Sequence, residues 1–366
     1  LVDNPDTPLV ASDLVFLDPA GTGFSRVGSK EAEASVYGTL GDIDATARFI
    51  VQFRELYGRE QSPLHLFGES FGTWRAAGTA EALARDGVPV AGIGLISGGI
   101  PLGETDDRAL MRALSLPNRT ATALALGKLD PRLQAQPRSL LDEAEQWARE
   151  VWYPALSSPT SLDAAQRAAV VEGLSRYHGM SPDKIDRQTL WISPRDFRRG
   201  LLDGQMLDVF DMRRVEADEE DTGAAAAILR YYRETLGYEA GIYAGIEVPE
   251  IPVGSNWQYD QAPITEESLA RAMAGEGPPS PSRPWTLQAM QMMPGMRIFV
   301  AAGVYDSLNS CAANRATIAR LPEEVERRVL LHCYPGGHMM YDEPSVRSQF
   351  GNDVIAFIRN SRNSAE

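Results

Sequence analysis

The chain has 366 residues, 35 Lys and Arg against 50 Asp and Glu, a formal net charge of −15, and a hydrophobic fraction of 43%. That balance argues against a nucleic-acid or anionic-membrane partner, because phosphate binding rests on clustered cations, and the only lysines are Lys30, Lys128 and Lys184. No run approaches the roughly eighteen apolar residues of a membrane span, and the four histidines and two cysteines show no metal-ligand spacing, so neither metal nor cofactor is expected.

In chain order, Asp13 to Asp18 (DLVFLD) is a short apolar run of strand formers, closed by the turn-prone PAGTGFS. Ile43, Ala47, Ile50, Phe53 and Tyr57 recur at helical spacing, which predicts a helix over Asp42 to Tyr57. Leu64 to Phe67 is a second strand candidate. Phe71 to Ala84, rich in alanine and free of proline, reads as the next helix, and Ala91 to Ser97 as a third, buried strand. Strands and helices alternating at this rhythm predict a parallel sheet covered on both faces.

From Gly103 to Trp285 the pattern turns mostly helical, with segments such as Ser139 to Val151 and Leu162 to Tyr177, interrupted by the acidic stretch EADEED at Glu216 to Asp221. GEGPPSPSRPW, Gly275 to Trp285, punctuates its end. The α/β rhythm then resumes with strands at Arg297 to Ala301 and Arg328 to Cys333 and helices near Ala312 to Ala319 and Ser345 to Arg359. One split sheet results, residues 1–102 and 286–366, with residues 103–285 inserted as a helical cap.

The stretch HLFGESFGTWRA, His65 to Ala76, sets Ser70 in a Gly-x-Ser-x-Gly frame between a strand and a helix. Asp306 and His338 fall in the loops after the two resumed strands, where sites in open α/β sheets lie. The order Ser70, Asp306, His338 is the one in which a strand-to-helix serine, an orienting acid and a base follow one another in α/β-hydrolases. The chemistry needs these types: the hydroxyl is weak until imidazole takes its proton, and a buried carboxylate fixes the imidazole tautomer. The backbone N–H of Phe71 is the expected oxyanion donor, and Gly68 and Gly72 make room for the turn. His65 reads as a core or edge residue of its strand, His178 as a surface residue at a helix end, and His332 as lying on a strand. Trp152, Trp191, Tyr231, Tyr232 and Trp257 read as the core of the insertion. Asp18 and Asp342 rival Asp306 but stand on the wrong sides of Ser70 and His338. Cys311 and Cys333 are free to pair or to stay reduced.

These residues resemble the serine carboxypeptidases, and more closely their bacterial branch. NPDTPLVASDLVFLDPAGTGFS, Asn4 to Ser25, is similar to the family's NPYSW…LLFLDSPAGVGFS block, and GD at Gly41 to Asp42, GESFG, GVYD and GGHMMY follow in the family's order. LLDGQMLDVFDMRR and YYRETLGY inside the insertion also look like the bacterial branch, so the likeness covers most of the chain.

The resemblance implies an α/β-hydrolase sheet with a helical cap and a serine-type carboxypeptidase that removes C-terminal residues from peptides. Ser70 would be nucleophile, His338 base and Asp306 its orienting acid. Glu69 would help bind the terminal carboxylate, so like-charge logic predicts better peptide binding at acidic pH. Esterase or acyltransferase activity, or a non-catalytic protein of the same fold, are the alternatives. The family's Asn-Gly-Gly-Pro-Gly segment, which supplies half of the oxyanion hole, has no counterpart here, and Phe71 stands where the family usually has tyrosine. Leu1 and the lack of a leader pattern suggest an N-terminus further upstream, with the first strands of the sheet absent. The family implies export from the cytoplasm; oligomeric state and side-chain preference do not follow from the residues.

Overall fold

The computed structural model describes residues 3–362 apart from 106, 136, 217–221, 239–240, 246 and 248–252, so most of the acidic stretch EADEED lies outside the described residues. Four strands, β1 (His65–Glu69), β2 (Gly92–Ile96), β3 (Arg297–Gly303) and β4 (Val329–Tyr334), form one sheet in that order. Every neighbouring pair is parallel, with Phe67 opposite Gly94, Gly94 opposite Phe299, and Ala302 opposite Cys333. β2 is buried throughout and β3 almost so, whereas β1 and β4 are half-buried, as outer strands should be.

Side-chain alternation along the strands divides two cores. Ile93, Leu95, Ile298 and Val300 face α1 (Thr39–Leu56), α2 (Gly72–Arg85) and a helix at Trp285–Met292 through Ile43, Ala47, Ala77, Leu83 and Ala289. Ile96, Phe299 and Ala301 face the opposite way, onto Val354, Phe357 and Ile358 of the last helix, Pro344–Arg362. The protein is therefore a mixed α/β structure with helices on both faces of a parallel sheet. The cap contains α3 (Leu116–Ala125), α4 (Pro137–Trp147), α5 (Ala164–His178) and α6 (Pro194–Gly200). Its core runs from Ala113 to Met212 around Trp152, Leu174 and Phe197, all buried, and draws no residue from the sheet.

Two sequence expectations fail here. Asp13 to Asp18 is not a strand: Phe16 is 90% exposed and Val15 50%. Among the described residues nothing pairs with the free side of β1, and an extended segment without a hydrogen-bonding neighbour has no ladder to join. His178 does end a helix, but it is wholly buried: its Nδ1 bonds the Leu174 carbonyl at 3.0 Å and its ring packs on Trp152 and Phe197. The helix periodicity placed it correctly along the axis, while cap packing decided its exposure. Cys311 and Cys333 are paired, with 6.0 Å between their Cα atoms, joining β4 to the first turn of the helix Cys311–Ile318.

Candidate active site

The turn after β1 is built from close backbone approaches. Ser70 has φ +54°, a conformation L-residues seldom adopt outside turns that hold them there. Its N–H is anchored to the Ile96 carbonyl at 2.9 Å, which continues the β1–β2 ladder one residue beyond the strand. A Cβ on Gly68 would strike the Gly72 carbonyl, and one on Gly98 would strike the carbonyl of Ser70 itself. Phe71 opens α2, so Ser70 stands at a helix N-terminus, where the peptide dipoles favour negative charge. The Phe71 N–H takes no acceptor among the described residues.

Asp306 and His338 come from neighbouring strands. Gly303 and Gly337 let their loops touch, since a Cβ on Gly303 would overlap the Gly337 carbonyl. The His338 Nδ1 lies 2.8 Å from Asp306 Oδ2, and both side chains are buried. Asp306 Oδ1 accepts from the Leu308 N–H at 2.8 Å. Burial pushes the Asp306 carboxyl up, against the stabilising bond from His338. Burial works against a charged His338, but the bond and charge of Asp306, helped by Glu69, outweigh it and leave the imidazole above its ordinary value. The His338 Nε2 is buried and has no hydrogen-bond partner, so a bond to Ser70 is not formed.

Two contacts nonetheless bring the Ser70 turn and the His338 loop together. Tyr341, three residues after His338, donates its hydroxyl to the Glu69 carboxylate beside Ser70. Ser97, at the end of β2 with φ +55°, donates to the His338 carbonyl at 2.6 Å. The cap closes on the same loops: Phe210 accepts the His338 N–H at 2.6 Å, and Ser307 donates to the Val209 carbonyl at 2.7 Å. From α3, the Asn118 amide reaches the carbonyls of Gly303, Asp306 and Asn309 at 2.9 to 3.2 Å and holds the Asp306 loop.

Ser70, Phe71, Glu69, Asp306 and His338 thus gather at the carboxyl ends of the strands. His65 bonds Ser361 at 2.7 Å and the His332 Nδ1 lies 3.2 Å from an Asp353 carboxylate oxygen, both away from this cluster. Asp18 caps its own turn through the Phe24 N–H, and Asp342 lies in a short 3-10 turn. Trp152 and Trp191 do stack within the cap. Trp257 does not: its ring lies 5.1 Å from Phe71, and Tyr232 instead packs against Phe24. The aromatic content was legible, but a chain-local reading could not tell which wall each ring would join. Asn118, Ser97 and Tyr341 escaped notice for the same reason, although Tyr341 sits inside the quoted GGHMMY. Among the described residues no group of three or more His, Cys, Asp or Glu could hold a metal, and no helix is long and apolar enough to cross a membrane.

The chain matches no protein-family model and no curated protein.

Proposed function

We propose that the protein is a serine hydrolase, and within that class a serine-type carboxypeptidase of α/β-hydrolase architecture. One observation carries the reading: a buried histidine–carboxylate pair with its outer ring nitrogen unpartnered, joined through Tyr341 and Glu69 to a serine at positive φ on a strand-to-helix turn. In this mechanism His338 Nε2 takes the Ser70 proton as Oγ attacks the scissile carbonyl. Asp306 holds the proton on Nδ1 and stabilises the imidazolium. The Phe71 N–H and the α2 dipole receive the developing oxyanion. His338 then protonates the leaving amine, and water, activated by the same nitrogen, releases the acyl group. Glu69 favours a peptide with a free terminal carboxylate as substrate when one acid of the site is protonated. The Cys311–Cys333 disulfide supports an oxidising, exported location.

The missing Ser70–His338 bond and the single oxyanion donor favour one rival, a non-catalytic protein of the same fold. Intact-mass analysis after treatment with a fluorophosphonate probe separates the two. One adduct on the chain and none on Ser70→Ala is expected. An unlabelled, folded chain would favour the binding protein.

A further inference from the structure

A cavity of about 240 Å³ lies where α3 and α6 of the cap meet the Asp306 loop. Two donors belonging to its wall residues are buried and have no hydrogen-bond partner, Arg119 Nη2 and Asn309 Nδ2. Arg119 is only 3% exposed. Its other terminal nitrogen donates to the Ile192 carbonyl at 2.7 Å, and its guanidinium lies over the rings of Trp191 and Phe197. Asn309 Oδ1 already accepts from the Ser310 N–H at 2.9 Å and from Asn314 at 3.0 Å, which fixes the amide with its NH₂ as the open end.

Neither carboxylate of the wall takes a bond from these two donors. Glu276 is held by Arg112 at 3.1 Å and by the Trp191 Nε1 at 2.9 Å. Asp306 is taken by His338 and the Leu308 N–H. Arg108, also on the wall, pairs with Glu104. Burial lowers Arg119 to about 9, against the nearby charges of Glu276 and Asp196, which leaves it a cation at neutral pH. A buried cation with an unmade bond is costly, and a charge-assisted bond to an anion offsets that cost. The rest of the wall includes Met111, Phe197 and Met212, which suit an apolar body.

We propose that this cavity binds a small carboxylate, its oxygens held by Arg119 Nη2 and Asn309 Nδ2 and its apolar body against Met111, Phe197 and Met212. Phosphate fits less well, because its oxygens call for more than two donors and it brings no apolar surface. The inference stands apart from the hydrolase reading, since it uses neither Ser70 nor His338.

Calorimetric titration of the full chain with benzoate, benzamide and benzylamine tests it. Saturable binding of benzoate, weaker binding of the neutral amide and none of the amine are expected. Asn309→Asp keeps the Oδ1 acceptor and replaces the donor with a repelling oxygen, so it should weaken benzoate by about tenfold or more. Removing a buried arginine risks unfolding, so Ala313→Leu, which fills the cavity from a wall residue, serves as the second variant and should also weaken binding. Equal binding of benzoate and benzylamine, absence of benzoate binding to the folded chain, or benzoate binding unchanged in both variants would overturn the proposal.

Discussion

At Glu69, one carboxylate acts on two neighbours. It accepts from Tyr341, and its charge adds to that of Asp306 in holding the His338 imidazole above its ordinary value. A base must be neutral to accept the Ser70 proton, so labelling by a fluorophosphonate, which has no carboxylate to bind, should rise with pH through a midpoint above about 6.5. Glu69→Gln removes one negative charge and lowers the proton affinity of His338, moving that midpoint toward acid. The rate of adduct formation between pH 5 and 9 checks the direction; an unmoved or alkaline-shifted midpoint would remove Glu69 from the electrostatics of the base. Peptide hydrolysis should behave differently, because protonating an acid near the substrate's carboxylate aids binding while protonating His338 slows chemistry. Its profile should therefore turn over on the acid side of the labelling profile.

At the scale of elements, the disulfide spans two pieces that position the acid and the base. Cys333 lies on β4, whose following loop carries His338, and Cys311 begins the helix that follows the Asp306 loop. With the cysteines 22 positions apart in the chain, chain-entropy reasoning gives about 3 kcal/mol for the link. The Cys311→Ser, Cys333→Ser double variant should lose about that much in urea unfolding, and its Ser70 labelling should slow if the two loops separate. Unchanged stability would mean that packing of the helix against β4 suffices without the link. The sheet was readable from the chain because each buried strand is a short apolar run: β2 and β3 fell within a residue or two of their predicted ends. The placing of Ser70, Asp306 and His338 at one end of the sheet was legible because Ser70 follows β1 directly and the other two lie in the loops just after β3 and β4. Residues 13–18 misled because apolar content signals a strand only when a neighbour exists to pair with it. Asn118 was invisible because its role depends on three carbonyls some 185 residues or more away, and no local pattern announces that contact.

Across the whole molecule, two buried histidines respond to pH with opposite signs. His178, within the cap core, is held well below its ordinary value by burial and then by the neighbouring Arg119 charge. Its folded-state neutrality contributes stability that is present above pH 6.5 and lost as pH falls, because the unfolded chain gains a proton that the fold refuses. His338, held above its ordinary value, contributes stability that is full below pH 6.5 and lost as pH rises through its folded value. The histidine contribution therefore peaks near pH 6.5, with the cap governing the acid side. Below that point the loss attributable to His178 should approach about 1.4 kcal/mol per pH unit, one proton's worth. His178→Gln should lower stability at neutral pH, since Gln fills the site less well, yet flatten the acid slope. Urea unfolding followed by tryptophan fluorescence from pH 7 to 5 reads this directly, because Trp152 packs against the His178 ring. A variant whose acid slope matches that of the parent chain would transfer the acid sensitivity away from the cap, to groups on the sheet.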